Sequence, residues 1–124
     1  MKRQTRQRQA IRDVIRAVDR PLAPQEVLAE AGRHVRGLGI ATVYRTINAL
    51  VEEGEVTRVE IPGQPTRYEK AGLDHHHHFC CDGCGKVYEL DGCALRSTVP
   101  TPEGFTVARH EITLYGQCLQ CRSA

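Results

Sequence analysis

The sequence predicts an α+β protein in which an N-terminal winged helix-turn-helix precedes a small α/β unit. The first half of the chain shows three helical patterns and then two short strand patterns, which is the element order of a winged helix. From residue 71 onward a histidine run and cysteines enter and arginines thin out. We therefore expect one unit over residues 1–69, a hinge over residues 70–74 and a second unit over residues 75–124.

The first two helices are indicated by apolar residues at helical spacing. A stripe from Ile11 to Val18 predicts an amphipathic helix over residues 5–18 with arginines on its outer face. Pro21 and Pro24 interrupt this pattern. Pro24 suits the first turn of a second helix, whose apolar stripe continues through the sequence VLAEA.

The third helix is predicted over IATVYRTINALVEEGEV, with Gly54 as its C-terminal stop. Tyr44, Arg45 and Thr46 are expected on its exposed face, as donors to phosphates and base edges. The strand patterns EVTRVEI and TRYE flank a Pro-Gly-Gln-Pro turn and predict the hairpin that forms the wing. This order favours DNA binding, although short three-helix packings also serve as protein-interaction modules.

Basic residues are concentrated near the N-terminus. The chain has 124 residues, 17 of them basic and 15 acidic, so its net charge of +2 indicates little by itself. Residues 1–20 contain two acidic residues and these seven basic ones: Lys2, Arg3, Arg6, Arg8, Arg12, Arg16 and Arg20. Such a local surplus favours contact with a phosphate backbone, and a solvated helix face is the alternative.

Two C-x-x-C pairs are the strongest chemical signal in the chain. Two such pairs complete the tetrahedral S4 shell of a structural zinc site, and units this small usually need a metal, disulfides or a partner. The predicted ligands are Cys81, Cys84, Cys118 and Cys121. Redox pairs or disulfides are the alternative. We expect reduced thiols and a cytoplasmic protein, because MKRQTRQRQA shows no secretory leader and no apolar stretch approaches the ~20 residues of a membrane span.

The histidine run over residues 75–78 predicts further metal ligands. In an extended segment His76 and His78 would share one face, and His75 and His77 the other. Each pair needs more donors, and the nearby candidates are Glu69, Glu89, Glu111 and His110. Imidazole with carboxylate suits Zn²⁺, Fe²⁺ or Mn²⁺, whereas four thiolates favour zinc more firmly. A polar, solvated histidine run is the alternative.

The rest of the second unit predicts strands and one helix. The segments FCC, KVYEL and FTVARHEITLYG alternate or run apolar as strands do, and residues 93–99 predict one short helix before two prolines. Cys80 and Cys93 are expected to be small buried residues rather than ligands.

The chain resembles the ferric uptake regulator (Fur) family of bacterial metalloregulators over nearly its whole length. GIATVYRTINALVEEGEV resembles the recognition helix of the family, HHHHFCCDGCGKV its H-H-x-H-x-x-C-x-x-C-G-K motif, and HEITLYGQCLQC its closing strand with the second C-x-x-C. The resemblance implies a homodimer whose winged helices bind palindromic operator DNA when a regulatory metal is bound. It also implies that the C-terminal domains pair through β-strands, with no small organic substrate.

The resemblance assigns roles residue by residue. The four cysteines of the C-x-x-C pairs match the structural zinc ligands. A regulatory site for Fe²⁺ or Zn²⁺, with Mn²⁺ also possible, matches Glu69, His76, His78 and Glu89. An additional metal site matches His75, His77 and His110. DNA contacts match Tyr44 and Arg45, to which the helix face and the basic N-terminus add Thr42, Arg3, Arg6 and Arg8.

Departures from the family pattern fall at the metal sites. The family often supplies a regulatory histidine before its second helix, where this chain reads DRPLAPQE. The site then either lacks a ligand from the DNA-binding side or recruits His34 or water instead. The acidic ligand of the additional site has no clear equivalent, and Asp91 and Cys93 are candidates. Glutamates at positions 69 and 89 argue against a peroxide-sensing role, and both iron and zinc fit.

Two other functions fit fewer of the residues. A zinc hydrolase or deaminase would need an open coordination position, which four cysteines do not leave, and no H-x-E motif adjoins a C-x-x-C. A zinc-ribbon interaction module or metal-storage module could carry these ligands without reading DNA. We expect no enzymatic activity.

Overall fold

The computed structural model describes residues 2–93 and 100–123, with side chains from residue 5 onward. It confirms the predicted α+β class. The elements are α1 (Lys2–Ala17), α2 (Pro24–Ala31), α3 (Ile40–Glu52), β1 (Val56–Val59), β2 (Arg67–Lys70), β3 (His76–Cys81), β4 (Val87–Asp91), β5 (Thr113–Gly116) and α4 (Leu119–Ser123). The chain divides into two compact units, Met1–Leu73 and Asp74–Ala124. The helix predicted over residues 93–99 lies almost wholly outside the described residues.

The first unit packs α1, α2 and α3 around one apolar core. Ile11 and Ile15 from α1, Val27 from α2, and Ile47 and Leu50 from α3 are each at most 1% exposed. Burial of side chains of this size stabilises a fold by about 1.5–3 kcal/mol each relative to exposure. The apolar residues that recur at helical spacing therefore form this core. Because the apolar side of α3 is buried there, the opposite side of α3 faces outward.

The wing is the hairpin of β1 and β2, and the segment before α2 pairs with its second strand. Strands β1 and β2 pair antiparallel, with Val56 opposite Lys70 and Val59 opposite Arg67. Leu22 then exchanges two backbone hydrogen bonds with Tyr68, at 2.8 and 2.9 Å. Leu22 and Ala23 are the two residues between Pro21 and Pro24, and so short a segment gives no strand pattern. For this reason the sequence did not predict the pairing.

The second unit contains a three-stranded sheet in the order β4-β3-β5. Strand β3 pairs antiparallel with β4 and parallel with β5, so that Cys81 lies opposite Gly116. The strand pattern predicted over FTVARHEITLYG is confirmed only at its C-terminal end, where Thr113–Gly116 forms β5. The preceding segment leaves Phe105 and Val107 68% and 55% exposed. Alternation alone did not reveal that this segment lacks a neighbouring strand among the described residues.

Candidate metal centres and nucleic-acid interface

The four predicted zinc ligands meet at one end of the three-stranded sheet. Strand β3 ends at Cys81, and a turn with Gly85 at φ +76° brings Cys84 back beside it. The parallel partner β5 ends at Gly116, just before Cys118, and the short helix α4 carries Cys121. Because β3 and β5 are parallel, both C-x-x-C pairs lie at the same end of the sheet. The four Sγ atoms lie within 4.8 Å of one another.

The thiols of this cluster are held in an arrangement that suits a cation. The backbone N–H groups of Cys84 and Cys118 donate to Cys81 Sγ at 3.4 and 3.3 Å and lower the pKa of that thiol to about 6. Hydrogen bonding to Cys81 and Cys118 raises the pKa of Cys121 to about 12. Sulfurs crowded in this way cannot all be thiolates without a positive charge among them. A divalent ion supplies that charge, and four sulfur ligands fit structural zinc.

Gly83 keeps the turn open for the second pair of cysteines. A Cβ atom at this position would lie 2.8 Å from Cys121 Sγ, closer than packed atoms approach. A side chain at residue 83 would therefore displace one of the four ligands. Gly83, in the spacer of the first C-x-x-C pair, thus makes room for Cys121 because it has no Cβ atom.

The predicted regulatory residues of the second unit share one face of the sheet. His78 lies directly opposite Glu89 across β3 and β4. The Nε2 atoms of His76 and His78 lie 3.2 and 3.8 Å from Glu89 Oε2. Two imidazoles and a carboxylate in this arrangement are donors for Zn²⁺, Fe²⁺ or Mn²⁺. Glu69 belongs to the first unit, on β2 opposite Thr57, and its role as a further ligand stays a prediction.

The other two histidines of the run face a second group of donors. His75 Nε2 lies 3.1 Å from His110 Nε2. Cys93 Sγ also lies in this group, 3.2 Å from His77 Nε2 and 3.1 Å from His110 Nε2. Burial and the charges of His75 and His110 lower the pKa of His77, which favours the neutral imidazole that binds metal.

Cys93 and Cys80 differ from each other, although both were expected to be small buried residues. Cys80 is 2% exposed on β3, whereas Cys93 is half-buried and belongs to the histidine group. Cys93 follows β4 and lies 16 positions after His77, so no short motif spacing links it to the histidine run. Only the pairing of β3 with β4 brings it near His77.

Helix α3 carries three of the six residues predicted to contact DNA, Thr42, Tyr44 and Arg45. Tyr44 is 46% exposed, Arg45 is exposed, and the Arg45 guanidinium donates to the Thr42 hydroxyl at 3.1 Å. The expectation that Thr46 is exposed was wrong, since it is 9% exposed. Thr46 lies three residues after Val43 and four before Leu50, which places it within the apolar stripe of the helix.

The basic residues of α1 are partly used within the first unit. Arg6 is exposed, but the Arg8 guanidinium donates to both carboxylate oxygens of Glu53 at 2.6 Å. This pair joins α1 to the end of α3, so Arg8 would have to leave Glu53 to contact phosphate. The side chain of Arg3 lies outside the described residues.

A winged helix followed by a unit of thiolate and imidazole–carboxylate clusters defines a class of protein, the metal-responsive regulators of transcription. The model of the ferric uptake regulator family matches residues 2–115 of the chain. The chain belongs to this family, which confirms the resemblance seen in the sequence.

Individual relatives agree with this assignment. The chain is 32% identical to the ferric uptake regulation protein of Campylobacter jejuni, with 96% of this chain and 79% of the relative covered. It is 33% identical to the zinc uptake regulation protein of Mycobacterium tuberculosis, with 98% and 95% covered. The fold is similar to that of the Helicobacter pylori ferric uptake regulator, with a TM-score of 0.68, 24% identity, and 95% and 81% coverage.

These relatives bear names of regulators rather than of enzymes. Within the described residues, the helices are too short or too polar for any of them to traverse a lipid bilayer.

Proposed function

We propose that this chain acts as a cytoplasmic, homodimeric repressor that binds palindromic operator DNA when its regulatory metal is bound. The observation that carries the proposal is that one chain combines an exposed polar face on α3 with metal-donor clusters in its second unit. Dimers of helix-turn-helix proteins present their recognition helices about 34 Å apart, so the operator should be an inverted repeat. In this role the protein has no catalytic activity and no small organic substrate.

The metals have separate roles in this proposal. Zinc fills the four-cysteine site permanently, because a closed thiolate shell leaves no position for exchange. Fe²⁺ or Zn²⁺ fills the regulatory site of Glu69, His76, His78 and Glu89, for which Mn²⁺ also has suitable chemistry. The relatives named for ferric and for zinc uptake support both ions, and the Helicobacter pylori ferric uptake regulator has three functional metal-binding sites.

The regulatory metal acts by favouring one arrangement of the protein over another. A ligand can shift such an equilibrium only by the difference in its affinity for the two arrangements. A coupling of 1–3 kcal/mol, roughly 5–150-fold in DNA affinity, is typical of allosteric proteins. We expect a difference in this range between the metal-bound and metal-free protein.

A gel-shift titration tests the switch. The zinc-loaded protein is titrated onto a promoter fragment with added Fe²⁺ or Zn²⁺, and again with a chelator that leaves the four-cysteine zinc in place. We expect tight binding with metal and weaker binding with chelator. Equal affinities would remove the metal switch, and no binding in either condition would favour the interaction or storage module.

Replacement of Arg45 tests how α3 contacts DNA. If Arg45 reads base edges, Arg45→Ala should weaken operator binding by about 1–3 kcal/mol and random-DNA binding by less. Arg109→Ala is the matched control, because Arg109 is an exposed arginine of the second unit. An equal loss on both DNAs would assign Arg45 to the phosphate backbone instead.

A further inference from the structure

The group of three histidines in the second unit contains one donor of a different chemical kind. His75, His77 and His110 offer imidazole nitrogens, whereas Cys93 offers sulfur. We infer that Cys93 is the fourth ligand of this additional site, and that its thiolate makes the site select Zn²⁺ over Fe²⁺ and Mn²⁺. The inference adds a fourth ligand and a metal preference to the additional site that the family resemblance assigns to His75, His77 and His110. It depends neither on DNA binding nor on a metal switch.

The positions of the donor atoms support a single shared ion. Around zinc, ligand bonds of roughly 2.0–2.1 Å to nitrogen and 2.3 Å to sulfur put neighbouring tetrahedral ligands about 3.3–3.6 Å apart. Cys93 Sγ lies 3.2 Å from His77 Nε2 and 3.1 Å from His110 Nε2, and His75 Nε2 lies 3.1 Å from His110 Nε2. All four donor atoms lie within 4.8 Å of one another. For these three pairs, the donor atoms lie only a few tenths of an ångström closer together than they would around a bound zinc ion.

The placement of the elements excludes the competing acidic donor. Asp91 is exposed at the end of β4, where it pairs in register with His76 rather than with a histidine of this group. Cys93 lies two residues further along, after Gly92 turns the backbone at φ +80°. Of the two candidates that the sequence offers in place of the family's acidic ligand, the chain thus brings the sulfur of Cys93 to this site.

Sulfur in place of oxygen changes which metal the site prefers. A thiolate is a soft ligand that favours Zn²⁺, whereas carboxylates suit harder ions such as Mn²⁺. Three imidazoles do not oppose this preference, because they also bind zinc well. Among the described residues of the second unit, the donors grouped on the face with His76, His78 and Glu89 are nitrogen and oxygen atoms. One strand, β3, therefore serves two metal environments of different selectivity.

Cobalt binding to the full chain tests the inference without DNA. The protein is prepared with zinc in the four-cysteine site, verified by native mass spectrometry, and then titrated with Co²⁺ while absorption is recorded. With those four sulfurs held by zinc, thiolate-to-cobalt charge-transfer absorption reports on a further cysteine ligand. We expect the absorption to correspond to one cysteine-bound cobalt ion per chain, and added Zn²⁺ to abolish it at concentrations where Mn²⁺ does not.

Three variants assign the signal to a residue. Cys93→Ala should abolish the absorption and weaken Co²⁺ binding at this site by at least about tenfold, because loss of a direct ligand exceeds the usual effect of losing a group that only orients a ligand. Cys93→Asp should retain one ion without the absorption and should reduce the preference for Zn²⁺ over Mn²⁺. Cys80→Ala is the matched control and should keep the absorption, since Cys80 lies on β3 outside the donor groups.

Particular outcomes would overturn the inference. Absence of the absorption in the zinc-loaded wild-type protein would exclude Cys93 as a ligand. Persistence of the absorption in Cys93→Ala, or its loss in Cys80→Ala, would assign it to another thiol. If the wild-type protein and Cys93→Asp show the same ratio of Zn²⁺ affinity to Mn²⁺ affinity, the claim of selectivity fails. Failure of the promoter gel shift would leave each of these results unaffected.

Discussion

At the scale of single residues, the second unit gathers groups that repel one another unless a cation joins them. Amide donors lower the pKa of Cys81 to about 6, while the neighbouring sulfurs raise that of Cys121 to about 12. Cys118 Sγ also lies near the phenol of Tyr88, whose pKa rises to about 12 for the same reason. The free energy of this unit should therefore depend on the ion more than on any one apolar contact.

Loss of one cysteine ligand should show this dependence. We expect Cys118→Ser to release zinc and to lower the free energy of unfolding of the second unit by about 3 kcal/mol or more, because metal binding is coupled to folding. Native mass spectrometry gives the zinc content, and urea unfolding gives the stability. Cys80→Ala should keep its zinc. A zinc-containing, equally stable Cys118→Ser protein would contradict the proposed site.

Glu26 gives the first unit a pH-dependent contribution to stability. Burial alone would raise its pKa, but hydrogen bonds from Arg20 at 2.7 Å and from the Ala23 N–H at 3.0 Å, with the charges of Arg20 and Arg67, lower it. A carboxyl whose pKa is lower in the folded than in the unfolded state stabilises the fold above the unfolded pKa of about 4.3. The stabilisation is lost as the pH falls through the folded pKa.

Glu26→Gln should accordingly destabilise the protein by about 1 kcal/mol at pH 7 and by less at pH 3.5. Urea unfolding of both proteins at the two pH values measures the difference. Glu30→Gln on the same helix is the control, because the Glu30–Arg33 pair is exposed and its atoms are 3.6 Å apart. A difference that stays constant with pH would show that the charge of Glu26 does not contribute.

At the scale of elements, the end of α3 shows how local sequence fixes the position of the wing. The Gly54 N–H donates to Val51 O at 3.0 Å and the Glu55 N–H to Leu50 O at 2.9 Å, which together form a Schellman motif. Gly54 has φ +79°, a conformation that other residues adopt only with strain. The helix stops here and β1 begins at Val56.

Gly54→Ala should cost about 1–2 kcal/mol of folding free energy, because alanine is strained at this φ. Gly39→Ala at the other end of α3 should have a much smaller effect, since Gly39 has φ −113° and open space where a Cβ would lie. Thermal or urea unfolding of the two variants checks the contrast. Equal effects would mean that the backbone conformation at residue 54 is not limiting.

Sequence reasoning predicted the features that depend on neighbours along the chain. The apolar stripes of α1 and α3, the stop at Gly54 and the x-x spacing of the cysteines are local, and each predicted its element or donor group. The Arg8–Glu53 pair, the parallel pairing of β3 with β5 and the position of Cys93 within the histidine group join residues far apart in sequence. Such contacts follow from packing, which periodicity does not encode.

At the scale of the whole molecule, the second unit exposes apolar surface that a partner copy could cover. Phe105, Val107, Leu114 and Tyr115 are 68%, 55%, 47% and 54% exposed. Strand β5 lies at an edge of the sheet, where backbone groups can pair with another strand. Exposed apolar residues beside such an edge are typical of an interaction site, and they support the proposed homodimer.

Phe105→Arg should weaken this dimer. Apolar anchors at an interface commonly contribute about 1–2 kcal/mol or more, so the dimer dissociation constant should rise by at least about tenfold. Sedimentation of the zinc-loaded protein over a concentration series measures it. Leu73→Arg is the control, because Leu73 is an exposed apolar residue of the first unit. Identical dissociation constants for both variants would place the interface elsewhere.

Because the parallel pairing of β3 with β5 joins cysteines that are far apart in sequence, the complete zinc site can form only late in synthesis of the chain. Cys84 and Cys118 are separated by 34 positions in the chain, yet their Sγ atoms lie 3.9 Å apart. A nascent polypeptide leaving the ribosome therefore displays the earlier thiols for some time before the later ones are synthesised. Until then, the first C-x-x-C pair offers a metal ion only two of the four sulfur ligands.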